Sequence, residues 1–377
     1  MEFPEQESQA TAQRAPCTNE ATRFSTALRA QREGEPIWTP EYHVAPPVAI
    51  LQLVTGRWVS QIVGVAAELG LADEIQTGPK GAEELAAAKG LHATTLYRLL
   101  RALASFGIFA EQDDGRFRQT PMSDVLRSDV AYSMRSIARV SNHYWMMHGW
   151  MGLEQSVRTG TSAFEHVHGL PSFEYVSRRP EVMEIFADAL AGFAVLVGSA
   201  VVEAYHFSST GTLAEIGGSH GVVLAMVLAK YRQLRGILFD MPSFVEWASN
   251  FFRNQGVEHR VEVKSGNFLE DAPEGADAYF LQNSLHRRSD DECMRILNAV
   301  RAAAKPGAKL VVVEAIVETT NEPQFAKTWD ITMLVATRGG RERTRAEWLN
   351  LLGAAGFRVA RIIPTASFAS VIEAIRG

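Results

Sequence analysis

The segment from Thr212 to Asp240 constrains the fold more strongly than any other part of the chain. It reads as an apolar strand, a glycine-rich turn, a helix beginning near Val222 and a second strand that ends in a carboxylate. The turn lets the backbone approach a ligand closely, and the start of the helix offers free amides and a positive dipole end to a negative group. The glycines of this turn are Gly217, Gly218 and Gly221.

Asp240 indicates which ligand the turn would bind. It lies at the carboxyl end of the second strand, roughly 20 residues after the glycines, where doubly wound sheets place an acid that accepts hydrogen bonds from ribose hydroxyls. The segment therefore predicts a nucleoside site. A glycine-rich strand end can also serve packing alone, and the turn by itself leaves both interpretations open.

Strands and helices alternate through the rest of the C-terminal half, which predicts a parallel, doubly wound α/β sheet. Ser289 and Glu292 have the spacing of a capping box at the start of one of these helices. A short turn separates the last two strands and predicts an antiparallel edge hairpin. The expected strands are 260–264, 278–282, 309–315, 357–363 and 369–374, and the expected helices are 241–254, 290–304 and 345–355.

The N-terminal third has a different pattern. Residues 1–45 are rich in Glu, Gln, Thr, Ala and Pro and are expected to form a disordered tail. A helix is expected from about Pro47 to Leu69, and its apolar stripe is broad enough for a domain core or a dimer interface. Residues 81–128 read as two helices followed by a short hairpin, which resembles a winged helix.

A winged helix is often a DNA reader, so a transcription regulator is one alternative function. The helix that would read DNA carries only Arg98, Arg101 and His92, which are few groups for the phosphate contacts that dominate duplex binding. The net charge of -6 also argues against a general nucleic-acid binder. We therefore expect no nucleic-acid partner.

Composition and the N-terminus predict the compartment. The chain of 377 residues has room for two domains, and its only cysteines, Cys17 and Cys293, exclude a disulfide framework and a thiolate-only zinc site. The N-terminus lacks an apolar signal core, and no uninterrupted run reaches the roughly 18 apolar residues that span a bilayer. We expect a soluble, cytoplasmic protein without a membrane partner.

Residues 136–205 are helical in pattern and rich in aromatic residues and methionine. Open α/β sheets bind ligands at the carboxyl ends of their strands, and a helical block ahead of the sheet is well placed to cover them. Most of the large side chains are expected in the core, and a minority along a pocket. Asn142, His143 and His148 are the polar residues considered for substrate contacts, although a structural role is commoner for each.

At this point the motifs carry a resemblance to a known family. In order, they resemble those of small-molecule O-methyltransferases that use S-adenosylmethionine, the plant caffeate type and its bacterial polyketide-tailoring relatives. GGRERT followed by EW is the most specific of them. The motifs are EIGGSHG at 215–221, FDMP at 239–242, SGNF at 265–268, SLH at 284–286, VVVEA at 311–315, DITML at 330–334 and GGRERTRAEW at 339–348.

The resemblance implies a doubly wound class I methyltransferase sheet with an antiparallel edge hairpin, preceded by an α-helical winged-helix domain that forms a homodimer. The implied boundaries are 1–45 for the tail, 46–135 for the dimerisation domain, 136–205 for a helical substrate roof and 206–377 for the catalytic domain. The implied S-adenosylmethionine-binding residues are Gly217, Gly218, Gly221, Asp240, Asn267, Phe268 and Gln282. The family commonly has a Gly-Thr pair at Ser219-His220 and Asp at position 267.

His286 is the expected general base. It follows a predicted strand end, and its ordinary pKa of about 6.5 lets it accept a proton at neutral pH. The resemblance places Glu314 and Glu342 on either side of the imidazole, where a carboxylate fixes the tautomer and stabilises the imidazolium. A capping or packing role near Asp290 is the structural alternative for His286. No metal is assigned to the site.

The acceptor is expected to be a flat aromatic or polyketide-type molecule. Arg287 and Arg288 stand where the family usually has Asp-Trp, and they would either recognise a carboxylate or enolate of the substrate or point to solvent. This departure keeps open a second alternative, an enzyme of this fold that performs hydroxylation, decarboxylation or a pericyclic rearrangement without methyl transfer. The implied pocket residues are Trp145, Met146, Phe186, Leu190, Phe193, Trp329, Met333 and Thr337.

Overall fold

The computed structural model describes residues 45–130, 133–246 and 248–377. All but the last residue of the expected 1–45 tail lie outside the described residues. By internal contacts the chain divides into two units, residues 1–57 with 321–323 and residues 58–320 with 324–377. Each is described by itself.

The first helix, α1, spans Pro46–Leu69 and ends at Gly70, whose left-handed backbone (φ 64°) stops it. Several of its large apolar side chains are exposed, and Trp58 has an exposed fraction of 68%. By length and composition, α1 and the later helix Pro180–Ala204 could each span a membrane, a test that the core helix of a globular domain also passes. Both helices contain polar residues, so neither appears in the sequence as an uninterrupted apolar run. The exposed apolar side chains of α1 are Ile50, Leu51, Leu53, Val54 and Trp58.

Two helices and a hairpin follow, in the order that the sequence predicts. The hairpin pairs Phe109 with Gln119 and Glu111 with Phe117 in antiparallel register. The side chains of Phe109 and Phe117 pack with those of Leu85, Leu100 and Leu103 in a buried core. The elements are α2 (Leu71–Ile75), α3 (Ala82–Lys89), α4 (Ala93–Ser105), β1 (Phe109–Glu111), β2 (Phe117–Gln119) and α5 (Pro121–Asp124).

Residues 135–204 form six helices, as the aromatic-rich pattern predicts. A cluster that includes Trp145, Phe164 and Tyr175 holds the shorter helices against the long helix α11. The helices are α6 (Arg135–Asn142), α7 (Tyr144–Met151), α8 (Leu153–Thr159), α9 (Ala163–His168), α10 (Ser172–Ser177) and α11 (Pro180–Ala204).

The C-terminal sheet confirms the predicted α/β class. Its strands run in the order β5-β4-β3-β6-β7-β10-β9, and β8 pairs with the far end of β7. The pairs from β5 to β7 are parallel, whereas β10 runs antiparallel to both β7 and β9. The strands are β3 (Thr212–Ile216), β4 (Arg235–Asp240), β5 (Val261–Ser265), β6 (Ala278–Gln282), β7 (Lys309–Val317), β8 (Arg343–Thr344), β9 (Phe357–Pro364) and β10 (Ala369–Arg376).

Helices cover this sheet on two faces, and each face has its own buried cluster. Within the range 241–254, where one helix was expected, the described residues form the short helices Pro242–Val245 and Ala248–Asn254. The helix Phe325–Ala336 and the strand β8 are additions that the alternating pattern did not predict. The helices are α12 (Val222–Lys230), α13 (Pro242–Val245), α14 (Ala248–Asn254), α15 (Asp290–Ala303), α16 (Phe325–Ala336) and α17 (Arg345–Ala354).

Gly221, at the start of α12, lies close against the side chain of Phe252. Its φ is +78°, and a Cβ on it would lie 2.2 Å from Cζ of Phe252. We expect Gly221→Ala to destabilise the protein by roughly 2 to 5 kcal/mol, because left-handed strain adds to overpacking. Gly353→Ala, in α17 with nothing near the added carbon, should be neutral or stabilise by up to about 1 kcal/mol. Chemical denaturation measures both, and equal midpoints for the two variants would contradict this account.

Candidate active site

Three ionisable side chains from three segments meet at the carboxyl end of the sheet. His286 follows β6, Glu314 lies within β7 and Glu342 immediately precedes β8. Nδ1 of His286 lies 2.8 Å from Oε1 of Glu342 and 3.3 Å from Oε2 of Glu314. All three are buried, with Glu314 wholly enclosed. The structure therefore brings together the three residues that the resemblance implied.

Backbone contacts hold each member of this triad in place. Oε1 of Glu314 accepts hydrogen bonds from the amides of Leu285 (2.8 Å) and His286 (3.3 Å). The amide of Glu342 donates to Oδ1 of Asp330 on α16 at 2.8 Å. These three contacts fix the backbone next to the imidazole. Nε2 of His286 has no hydrogen-bond partner among the described residues, so this nitrogen remains available to a bound molecule.

Arg343 and Gly340 join the segment before β8 to the loop that carries His286. The buried Arg343 guanidinium pairs with Oδ1 of Asp290 at 2.6 Å and donates to the carbonyls of Leu285 and Arg288. A Cβ on Gly340 would lie 2.7 Å from the carbonyl oxygen of His286, so only glycine permits this approach. The GGRERT motif thus joins this segment to the His286 loop and to the start of α15.

Burial dominates the electrostatics of the triad. It lowers the pKa of His286; Glu314 opposes this, whereas Arg287 and Arg343 lower that pKa further. Burial raises the pKa of both acids, and repulsion from Asp330 raises the pKa of Glu342 further. The imidazole is therefore neutral and ready to accept a proton at neutral pH. An acid beside Nδ1 then stabilises the imidazolium that forms.

The same triad offers one imidazole and two carboxylate ligand atoms within 4.8 Å of one another. That spacing could hold a metal ion, and it also suits a general base oriented by acids. The sequence prediction assigned no metal, and that assignment stays a prediction.

The glycine turn after β3 owes much of its sequence to the protein's own side chains. A Cβ on Gly218 would lie 2.4 Å from Cδ of the buried Glu215, and a Cβ on Gly221 would meet Phe252. Gly217 has φ +72°, and Ser219 adopts a positive φ of 53° without being glycine. Packing therefore requires two of the three glycines whether or not a ligand is bound, an aspect that the sequence analysis left open.

Asp240 shapes this turn directly. Its buried carboxylate accepts a hydrogen bond from the amide of Ser219 at 2.8 Å and from that of Met241 at 2.7 Å. Burial raises its pKa, and these backbone donors oppose the effect. Each carboxylate oxygen can accept a second hydrogen bond, so Asp240 can hold the turn and still bind a hydroxyl.

Other residues implied for cofactor binding lie at or just after the carboxyl ends of β5 and β6. Oε1 of Gln282 and Oδ1 of its neighbour Asn283 are buried without a hydrogen-bond partner among the described residues, which suits a polar ligand. The Phe268 ring is buried beside Gly217. Asn267 is exposed, and its side chain accepts a hydrogen bond from the Leu269 amide, so it caps a local turn.

The implied acceptor residues divide into two groups. Trp329 lies 5.4 Å from Phe193 and 6.5 Å from the His286 ring, between ring centroids, so these side chains share one surface. Trp145 instead is enclosed by aromatic rings in the helical core.

Thr337 uses its hydroxyl to donate to the Met333 carbonyl and to accept from the Gly340 amide. Met333 is buried, Met146 and Phe186 are partly buried and Leu190 is exposed.

The side chains of Arg287 and Arg288 extend towards different aromatic rings. The Arg287 guanidinium lies 5.9 Å from the Phe186 ring centroid, and that of Arg288 lies 4.9 Å from the Phe268 ring centroid. Arg288 also pairs with Glu292 at 3.7 Å. Arg287 therefore lies towards α11, which carries Phe186, and Arg288 lies towards Phe268 beside the glycine turn.

Some supporting residues escaped sequence reasoning. Glu215, Asn283 and Asp330 stand within or next to the quoted motifs, yet only the folded structure shows what their side chains contact. Phe325 stacks on Trp329 at 5.4 Å from outside any motif. Of the polar roof candidates, Asn142 bonds Ser60 and the Ala138 carbonyl, which is a structural role.

Comparison with known proteins agrees with this geometry. Residues 150–358 match the O-methyltransferase domain, and residues 51–129 match the O-methyltransferase dimerisation domain. The chain is 39% identical over 331 residues to a phenazine O-methyltransferase of Lysobacter antibioticus, covering 86% of this chain and 95% of that protein. It is 34% identical over 313 residues to a mitomycin biosynthesis 6-O-methyltransferase of Streptomyces lavendulae, covering 83% and 89%.

A solved structure shows the same fold. Human N-acetylserotonin methyltransferase in complex with S-adenosylmethionine aligns with a TM-score of 0.81 and 26% identity. The alignment covers 90% of this chain and 100% of that one.

The buried carboxyl of Glu215 should make the stability of the folded protein depend on pH. Burial raises its pKa from 4.5 to about 8, so the folded protein binds this proton more tightly than the unfolded chain. The resulting stability is complete below pH 4.5 and is lost as pH rises through about 8. Glu215→Gln should remove a destabilisation on the order of 3 kcal/mol at pH 7 relative to acidic pH. Denaturation at pH 5 and pH 8 measures this, with the exposed Glu83→Gln as control; parallel curves for wild type and Glu215→Gln would refute it.

Proposed function

This chain belongs to the S-adenosylmethionine-dependent O-methyltransferase family, and from that membership we propose that it methylates a hydroxyl of an aromatic or polyketide-type secondary metabolite with His286 as general base. The observation that carries the proposal is the buried imidazole whose Nδ1 faces two acids while Nε2 has no partner among the described residues.

The side chains around the glycine turn support a cofactor site there. We propose that Asp240 accepts the ribose hydroxyls, that the turn at Gly217 approaches the methionine end, and that Phe268 borders the adenine. The unpartnered oxygens of Gln282 and Asn283 supply acceptors for its polar groups. S-adenosylmethionine supplies a methyl group on a sulfonium, which is already a good leaving group.

The remaining work of the protein is deprotonation and alignment. A phenol with a pKa of about 10 is mostly protonated at neutral pH. Nε2 of His286 takes the hydroxyl proton. Glu342 and Glu314 then stabilise the imidazolium at Nδ1. The deprotonated oxygen is left negatively charged and nucleophilic. A base so placed contributes roughly 10²- to 10⁴-fold to the rate.

The aromatic surface beside the base orients the acceptor. Phe193 on α11 and Trp329 on α16 lie against each other, and Trp329 neighbours the His286 ring. A flat ring stacked on this surface would present its hydroxyl to Nε2 and shield the reacting oxygen from water. Holding the reactants in this way can contribute more than the base itself.

We further propose that the protein is a cytoplasmic homodimer assembled through its dimerisation domain. The match at residues 51–129 includes most of α1, whose exposed apolar side chains would otherwise face water. The winged-helix description of residues 81–128 and the boundaries 46–135, 136–205 and 206–377 are part of the same proposal.

The base assignment has a direct test. Incubation with methyl-labelled S-adenosylmethionine and a panel of phenols and enols should place label on an acceptor oxygen. His286→Ala should slow this by roughly 10²- to 10⁴-fold, whereas His206→Ala, an exposed histidine, should not. Because burial lowers the pKa of His286, the acidic limb of kcat/KM should lie below pH 6.5, with activity lost as pH falls through it. A chelator should leave the rate unchanged.

Other outcomes separate the alternatives. Label on nitrogen would identify an N-methyltransferase. An acceptor that is isomerised, hydroxylated or decarboxylated with no methyl gained would support the enzyme class that keeps the fold without methyl transfer. Loss of activity with the chelator, restored by a divalent cation, would replace the base mechanism with a metal-dependent one.

The dimer is tested separately. Sedimentation should give twice the chain mass of 41.5 kDa. Val54→Glu combined with Trp58→Glu should shift it towards the monomer, because charges would replace exposed apolar side chains of α1. Leu349→Glu, at an exposed position of α17, should leave the dimer intact. A wild-type monomer at micromolar concentration would contradict the proposal.

A further inference from the structure

Arg287 differs from the arginines around it in having no anionic partner. Within the described residues its guanidinium forms no hydrogen bond or ion pair, and its one recorded contact is with the Phe186 ring. Arg288 pairs with Glu292, and Arg341 and Arg343 both pair with Asp290. The positive charge of Arg287 is therefore the uncompensated one in this loop.

Its surroundings make that lack costly. Arg287 is partly buried, and both burial and the neighbouring Arg288 lower its pKa, a sign that the charge is poorly solvated and meets repulsion. Arginine remains protonated in proteins, so the guanidinium cannot relieve the cost by losing its proton. A partly buried positive charge without a partner in the chain is well placed to bind an anion from outside it.

The contact with Phe186 indicates which side of the site receives the anion. Phe186 lies on α11, the helix that also carries Phe193, and Phe193 packs on Trp329 beside the His286 ring. Arg288 points the other way, towards Phe268, and its charge acts on Asp240. The guanidinium of Arg287 thus borders the acceptor surface, whereas that of Arg288 borders the cofactor groove.

We propose that Arg287 binds a carboxylate carried by the acceptor, so that the substrate class is aromatic hydroxy acids. This rests on the proposed function, because it concerns the acceptor of the same site. A planar guanidinium matches a carboxylate through two parallel hydrogen bonds, and its other face can stack on Phe186. Arg287 contacts Phe186 of α11, and the His286 ring neighbours Trp329, which packs on Phe193 of the same helix. One small molecule can therefore offer its hydroxyl to His286 and its carboxylate to Arg287.

The test compares pairs of acceptors that differ only in charge, the positional isomers of hydroxynaphthoic acid and their carboxamides. The wild type should methylate an acid with a higher kcat/KM than its amide. Arg287→Met keeps an unbranched, largely apolar stem but removes the charged guanidinium, and should lower kcat/KM for the acid by roughly 10- to 100-fold while leaving the amide within about threefold. Arg287→Lys should recover only part of the loss, because it lacks the fork.

Two controls separate this role from others. Arg295→Met removes an exposed arginine paired with Glu270 and should change neither acceptor. The Kd for S-adenosylmethionine should be the same in wild type and Arg287→Met. Weaker binding of S-adenosylmethionine by Arg287→Met, with an unchanged preference for acids, would overturn the proposal by assigning Arg287 to the cofactor. An equal loss of kcat/KM for acid and amide would overturn it by assigning Arg287 to the support of His286.

Calorimetric titration of each acid and amide, with S-adenosylhomocysteine present, tests recognition apart from turnover. If an acid binds through Arg287 and no methyl is ever transferred, the proposed function fails and this inference stands. If methyl transfer proceeds with equal preference for acids and amides, the proposed function stands and this inference fails.

Discussion

The site depends on the cost of burying three ionisable groups together. Glu314 is enclosed, and its carboxylate can remain there because two backbone amides and the His286 imidazole lie against it. Burial pushes the pKa of the imidazole down and that of the acids up, so the imidazole is neutral at neutral pH. A neutral imidazole is what a general base requires, and this one lies where the ends of β6 and β7 meet the segment before β8.

Contacts within the protein also shape the turn after β3, where we propose that the cofactor binds. Asp240 binds the amide of Ser219, Glu215 fills the space beneath Gly218, and Phe252 does so beneath Gly221. The turn is thus held in shape by the protein itself. A groove organised in this way loses little conformational freedom on binding, which favours affinity for the cofactor and alignment of its methyl group.

Much of this arrangement could be predicted from the sequence, and particular residues show where prediction ended. The strand over 278–282 and the capping box of Ser289 and Glu292 are observed as expected, because local patterns determine them. Trp145 was expected in the pocket and lies in the core of the helical block, since composition cannot distinguish two apolar environments. The turn pattern left open whether its glycines serve a ligand or packing, and the structure shows that Glu215 crowds Gly218 and that Phe252, from another segment, crowds Gly221.

By itself, the sequence determined the order of most strands and helices, the motifs of the family and the residue that we propose as the base. The tertiary structure alone decided that Glu314 and Glu342 both face Nδ1, that Asp330 fixes the backbone of Glu342, and that Arg287 and Arg288 point to opposite sides. The physical reason is that local patterns report on neighbours in the chain, whereas the direction of a loop side chain is set by the distant segments packed around it.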